Sequence, residues 1–256
     1  MPRLKLIIAY VGTDFHGWQT QAVPPGQQEQ PTIQSTIMRA VESITGRRIH
    51  VHGAGRTDSG VHARAQIAHL DVPESRIDWQ LALNTKLPPA IRIVRAEEAA
   101  PEFHAQHSAV RKTYRYSLWL DRGFTPPHLY PFVWNCGPLD EELMECAAEY
   151  FLGTQDFSAI RNAGTDVDSA VRTVSLVQRE TIRKKFLRVW RFEANGFLKQ
   201  MVRNMMGVLV RVGQHKIPVD SVPELLQQKD RRHAGVTAPA YGLCLHRVWY
   251  KDEQEE

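Results

Sequence analysis

Three glycines in eight residues make Gly53-Ala54-Gly55-Arg56-Thr57-Asp58-Ser59-Gly60-Val61-His62-Ala63 the tightest constraint on this chain. Glycine enters the φ > 0 region without steric cost and lets backbone approach a ligand closely. The stretch is therefore a loop between two apolar runs, and it packs the Asp58 carboxylate between the Arg56 cation and the Ser59 hydroxyl. A stiff, polar loop of this kind serves a site more often than a core. The same residues also suit a tight hairpin in which Asp58 only caps the turn.

With 256 residues the chain has room for one large or two ordinary domains. No apolar run approaches the roughly 18 residues of a membrane span, so no membrane partner is expected. Met1 to Tyr10 has a short apolar stretch with no cleavage-site pattern after it, and reads as the first strand of a cytoplasmic protein. Cys136, Cys146 and Cys244 are odd in number and far apart, which argues against a disulfide framework and a cysteine zinc site. The net charge is only +4, but the cations are bunched at Arg47-Arg48, at Arg111-Lys112 with Arg115, and at Arg183-Lys184-Lys185 with Arg188 and Arg191. The last two clusters interleave with Tyr114, Tyr116, Phe186, Trp190 and Phe192, which suits phosphates and base faces together. Ordinary solvated strand faces would carry the same pattern. Asp252 to Glu256 reads as a frayed tail.

Leu4, Leu6, Ile8 and Tyr10 alternate onto one face of a first strand, and a turn-rich stretch from Gly12 to Trp18 breaks it. Pro24 to Gln30 is polar and expected to be mobile. A helix from about Thr32 places Ile33, Ile37, Val41 and Ile44 inward. Strands over Ile49–His52 and Ala65–Leu70, a helix over Trp79–Leu87 and a strand over Ile91–Ala96 complete a β-α-β-β-α-β order. The second half repeats it. A strand over Val110–Leu120 sets Lys112, Tyr114 and Tyr116 on one face, and a helix over Pro138–Leu152 turns Leu139, Leu143, Cys146, Ala147 and Tyr150 inward. Strands over Val171–Arg179 and Lys185–Glu193, a helix over Phe197–Val212, a short helix after Pro223 and a strand over Leu243–Tyr250 follow. The expected fold is α+β: two tandem ferredoxin-like (RRM-like) units with antiparallel sheets, residues 1–105 and 106–256, and a catalytic cleft between them. A sheet with one solvated face is a platform for RNA.

Arg56, Asp58, Tyr114 and Arg203 carry the charge and hydrogen-bonding power expected near that cleft. Arg203 interrupts an apolar helix face, and an isolated buried cation costs several kcal/mol unless paired. Asp58 is the carboxylate expected to pair with it.

Together these segments resemble the pseudouridine synthase family, nearly end to end. The most specific match is Gly55-Arg56-Thr57-Asp58-Ser59-Gly60-Val61-His62-Ala63. Gly12-Thr13-Asp14-Phe15-His16-Gly17-Trp18-Gln19, Lys112-Thr113-Tyr114-Arg115-Tyr116, the Arg203 segment and Ala238-Pro239-Ala240-Tyr241-Gly242-Leu243 carry the rest. The resemblance implies an isomerase that converts uridines to pseudouridine at positions 38, 39 and 40 of tRNA. Asp58 would be its nucleophile, Tyr114 the ring that stacks on the target uracil and Arg203 the partner of Asp58. Arg56 would help turn the nucleotide out, and Leu243 would line the uracil pocket. It further implies a homodimer acting on tRNA, with no DNA partner, no metal and no organic cofactor.

Val11, Gln106 and Cys244 depart from the family pattern, and the Pro24–Gln30 loop is longer than usual. These departures bear on tRNA contacts rather than on the reaction. Two rivals remain on the sequence: an RNA-binding module with no need of Asp58, and a metal hydrolase built on His50, His52, Asp58 and His62.

Overall fold

A computed structural model of the chain describes residues 1–21, 26, 30–74, 76–162, 169–230 and 235–251. The expected mobility of Pro24–Gln30 and fraying of Asp252–Glu256 lie largely or wholly outside the described residues. The chain divides into two compact units, Met1–Val110 with Leu245–Glu256, and Arg111–Cys244. Both mix helices and strands, so the fold class is α+β.

The first unit runs β1 (Arg3–Tyr10), α1 (Ile33–Thr45), β2 (His52–Gly53), β3 (His62–Asp71), α2 (Trp79–Lys86) and β4 (Ile91–Ala99). The second contributes β5 (Ala109–Trp119), β6 (Trp134–Asn135), α3 (Glu141–Glu149), β7 (Gly153–Asp156), β8 (Val171–Glu180), β9 (Leu187–Ala194), α4 (Met201–Gly213) and α5 (Ser221–Gln227). The last strand, β10 (Leu243–Tyr250), starts in the second unit and returns to the first from Leu245 onward.

In the first unit the strands lie in the order β4-β1-β3-β10, with β2 paired to β3. β1 is antiparallel to both its neighbours, and its strict alternation buries Leu4, Leu6, Ile8 and Tyr10. Each buried Leu or Ile contributes roughly 1.5–3 kcal/mol. The β1–β3 register slips between Ile8 and Tyr10, a bulge that sets Tyr10 opposite Ala63. α1 starts where Thr32 Oγ1 accepts from Ser35 N (3.1 Å) and Ser35 Oγ accepts from Thr32 N (3.2 Å), a reciprocal cap. Ile33, Ile37 and Val41 are buried as the periodicity predicts, while Ile44 is half-buried.

The expected strand over Ile49–His52 shrinks to His52–Gly53. The buried Gln34 of α1 explains the loss, because its Nε2 takes the Val51 carbonyl (2.9 Å) that a neighbouring strand would have used.

In the second unit the order is β5-β9-β8-β7, with the two-residue β6 parallel to β5. β5 and β9 are antiparallel with Tyr114 opposite Phe192, and β9 pairs antiparallel with β8 as the sequence suggests. α3 begins at Glu141 rather than Pro138, because Asp140 Oδ1 accepts from Leu143 N (3.1 Å) and caps it. Its inward face is Met144, Ala147 and Ala148, followed by Phe151. Cys146 and Tyr150, expected inside, are exposed. α4 begins at Met201, four residues later than expected, after Gln200 takes a left-handed turn (φ 59°).

Candidate active site

Arg56 and Asp58 lie in the first unit; Tyr114, Arg203 and Leu243 lie in the second. Around Asp58 the backbone is anchored on both sides by residues 10–18, 39 to 47 positions earlier. On one side Trp18 N donates to Thr57 O (3.0 Å), and the Tyr10 and Thr57 hydroxyls share a hydrogen bond of 2.8 Å. On the other side Ser59 Oγ (3.1 Å) and Gly60 N (3.4 Å) both donate to Phe15 O. Val61 N closes the turn onto Asp58 O (3.1 Å), and Gln66 Nε2 holds Gly55 O (2.8 Å).

Two glycines allow this interlock. A Cβ on Gly12 would stand 2.0 Å from Val61 O, and Gly17 combines a φ of 83° with Thr57 O only 2.6 Å from the position of its missing Cβ. Tyr10, Trp18 and Thr57 are buried, whereas Asp58 is half-buried and Arg56 and Ser59 are exposed. The result is a carboxylate on rigid backbone with a face open to solvent, which is what positioned chemistry requires.

In the second unit Tyr114 is 7% exposed and meets Phe197 edge to face, with ring centroids 5.2 Å apart. Two positions away on the same strand face, Lys112 is half-buried, and burial, aided by the nearby Arg172 charge, lowers its pKa to about 8. Tyr116 donates its hydroxyl to Pro239 O (2.7 Å), and Gly242 fits against the Tyr116 ring where no Cβ would pass. This contact sets the backbone just before Leu243, itself 5% exposed.

Arg203 is half-buried on a helix otherwise buried almost all round. Its Nε donates to Ala238 O (2.8 Å), while Ala238 N donates back to Arg203 O (3.1 Å). One turn on, Gly207 lets the Val236 carbonyl approach to within 2.0 Å of where a Cβ would sit. Between them the fully buried Asn204 donates to Ile160 O (2.8 Å) and accepts from Thr237 Oγ1 (2.8 Å). Sequence reading missed Tyr10, Thr57, Asn204 and Thr237 as supports. Gly12 and Gly207 are the signals that mark such close approaches.

The bunched cations divide into two kinds. Arg111 pairs with Glu193 (3.0 Å), Arg115 with Glu180 (2.8 Å), Arg191 with Glu193 (3.2 Å), and Arg188 and Arg179 both with Glu141. Arg183, Lys184 and Lys185 are exposed. A histidine cluster gathers His52, His69 and His104, one ring nitrogen from each lying within 4.8 Å of the others. However, His69 Nδ1 accepts from Ala105 N (3.2 Å), and His104 Nδ1 accepts from Gln106 N and His107 N (3.2 Å each). In their neutral forms both rings then carry the proton on Nε2 and have no second lone pair to offer a metal.

The tRNA pseudouridine synthase family profile matches residues 6–108 and 147–251. Arg56 and Asp58 fall in the first matched segment, Arg203 and Leu243 in the second, and Tyr114 between them. The chain is 52% identical to tRNA pseudouridine synthase A of Lawsonia intracellularis (strain PHE/MN1-00), over 98% of this chain and 100% of that protein. It is 46% identical to the protein of that name from Oleidesulfovibrio alaskensis (strain ATCC BAA-1058 / DSM 17464 / G20), over 99% and 98%. For the protein of the same name from Thermoanaerobacter sp. (strain X514), identity is 38% over 98% and 100%. Family match and near-complete relatives agree: the chain belongs to the tRNA pseudouridine synthase family.

Proposed function

We propose that this protein isomerises uridine to pseudouridine at positions 38, 39 and 40 in the anticodon arm of tRNA. The observation that carries the reading is Asp58: a half-exposed carboxylate whose flanking residues are pinned from both sides, in a chain of this family. The reaction breaks the C1′–N1 bond, turns the ring and joins C1′ to C5. C5 loses a proton, N1 gains one, and nothing is oxidised. A carboxylate beside C1′ starts it as nucleophile, or by removing a neighbouring proton.

A base inside a stem must first leave the stack, at a few kcal/mol. Arg56, exposed two residues before Asp58, is the residue assigned to turning it out. Stacking on Tyr114 returns roughly 1–3 kcal/mol. Arg203 and Leu243 complete the substrate-binding set. On the same reading each unit is ferredoxin-like, and the enzyme acts in the cytoplasm as a homodimer without metal or organic cofactor. No helix among the described residues is long and apolar enough to cross a membrane.

The test is Asp58→Asn, which keeps the size but removes the charge and nucleophile. Tritium release from C5-labelled tRNA should fall to background while tRNA is still bound. A folded variant with more than a few per cent of normal turnover would overturn the assignment.

A further inference from the structure

We propose that Tyr10 is a positioning residue for this reaction, its hydroxyl fixing Thr57 and, through the chain, the neighbouring Asp58 carboxylate; the inference rests on the assignment of Asp58 above. Tyr10 is 4% exposed and Thr57 7%, and their hydroxyls lie 2.8 Å apart. In such surroundings neither hydroxyl can be replaced by bulk water without movement, so removing one partner leaves the other short of a bond.

Three features of the sequence bring Tyr10 there. It ends the apolar alternation of β1, the bulge after Ile8 shifts its register against β3, and its ring packs against Trp18 with centroids 6.2 Å apart. Trp18 N in turn holds Thr57 O, so the residue before Asp58 is fixed at both backbone and side chain by one short segment. On the far side of Asp58 the contacts to Phe15 O are longer, at 3.1 and 3.4 Å, and come from residues exposed or half-buried. The dry Tyr10–Thr57 bond is therefore the firmer of the two anchors. Tyr10 acts through Thr57 and touches no reacting atom in this scheme. Its loss should appear in kcat rather than in tRNA affinity, since a misplacement of about 1 Å costs on the order of 100-fold.

The experiment compares Tyr10→Phe, Thr57→Val, Thr57→Ser and the double variant Tyr10→Phe/Thr57→Val in the full chain, by tritium release and by melting. Tyr10→Phe keeps the ring against Trp18. It should lower kcat by about 10- to 100-fold with KM for tRNA within twofold. Thr57→Val should match it, Thr57→Ser should recover most of the loss, and the double variant should be no worse than either single one. Wild-type kcat in Tyr10→Phe refutes the inference, as does a loss confined to KM. Multiplying losses in the double variant also refute it, because the two groups would then act separately. Wild-type protein that makes no pseudouridine overturns the functional assignment instead, and the two failures are thereby distinguished.

Discussion

Gly207→Ala sets two opposing effects against each other on α4, and the structure decides between them. Alanine in a helix interior is worth about 1 kcal/mol over glycine. At this position, however, its Cβ would stand 2.0 Å from the Val236 carbonyl oxygen, a backbone atom. Bringing that contact out to even 3.0 Å moves the carbonyl by 1.0 Å, since 3.0 − 2.0 = 1.0. Ala238, two residues on, is fully buried and tied to Arg203 in both directions, so the segment cannot slide away freely. Overpacking of this kind costs roughly 1–3 kcal/mol. Weakening the two Arg203–Ala238 hydrogen bonds adds about 0.5–1.5 kcal/mol each. Against the 1 kcal/mol gain, the variant should be destabilised by about 3 kcal/mol, which lowers Tm by roughly 6–12 °C in a chain of this size. Thermal melting followed by circular dichroism measures this, and tritium release should fall as well because Arg203 loses its anchor. A Gly207→Ala protein that melts at or above the wild-type temperature refutes the close approach and the reasoning built on it.

Tyr114→Phe keeps the ring against Phe197 and should retain most tRNA binding, whereas Tyr114→Leu should weaken it by about 1–3 kcal/mol; equal losses in a binding titration would point to the hydroxyl. Replacing the exposed Lys184 and Lys185 by Gln should flatten the dependence of log K on log salt by up to about one unit for each phosphate these lysines neutralise, and an unchanged slope would place both away from the RNA. Burial, reinforced by the charges of His104, His52 and Arg3, lowers the His69 pKa from 6.5 to about 4. The unfolded chain therefore binds the extra proton first, so stability is complete above about pH 6.5 and declines as pH falls towards 4. His69→Asn should flatten Tm against pH across that window, and an identical slope would remove His69 as its source.

Local patterns in the sequence carried most of the fold. The alternation of Leu4, Leu6, Ile8 and Tyr10 set both the strand and its buried face, because β1 has one apolar side. α3 was harder. Leu143 and Cys146 form an apolar row as persuasive as the true one at Met144, Ala147 and Ala148, and only the Asp140 cap and packing choose between them. On α4 burial surrounds almost the whole helix, so periodicity could flag Arg203 as unusual but could not say what it meets. Asp58 stood out because its surroundings are glycines and polar groups in one short run. Its supports did not, since Thr57 O, Phe15 O and Val61 N act through backbone and leave no side-chain signature. Tyr10 looked like one more core residue, and a hydroxyl reaching across 47 positions is invisible to any local window.

The return of β10 to the first unit has a consequence for synthesis. That unit supplies β4, β1 and β3 within its first 71 to 99 residues, yet the strand beside β3 is Leu243–Tyr250, translated only after the entire second unit. Until then the β3 edge beyond its short pairing with β2 has unpaired backbone groups, of the sort that recruit stray strands. The Ala105 carbonyl likewise waits for the Tyr250 hydroxyl (2.8 Å), and Lys5 for the ring that will lie 5.0 Å from it. A nascent chain therefore carries the Asp58 loop and its Tyr10, Phe15 and Trp18 anchors long before the strand that completes their sheet. Moving β10 to the amino terminus by circular permutation would let the Asp58-bearing unit close its sheet before the second unit is made.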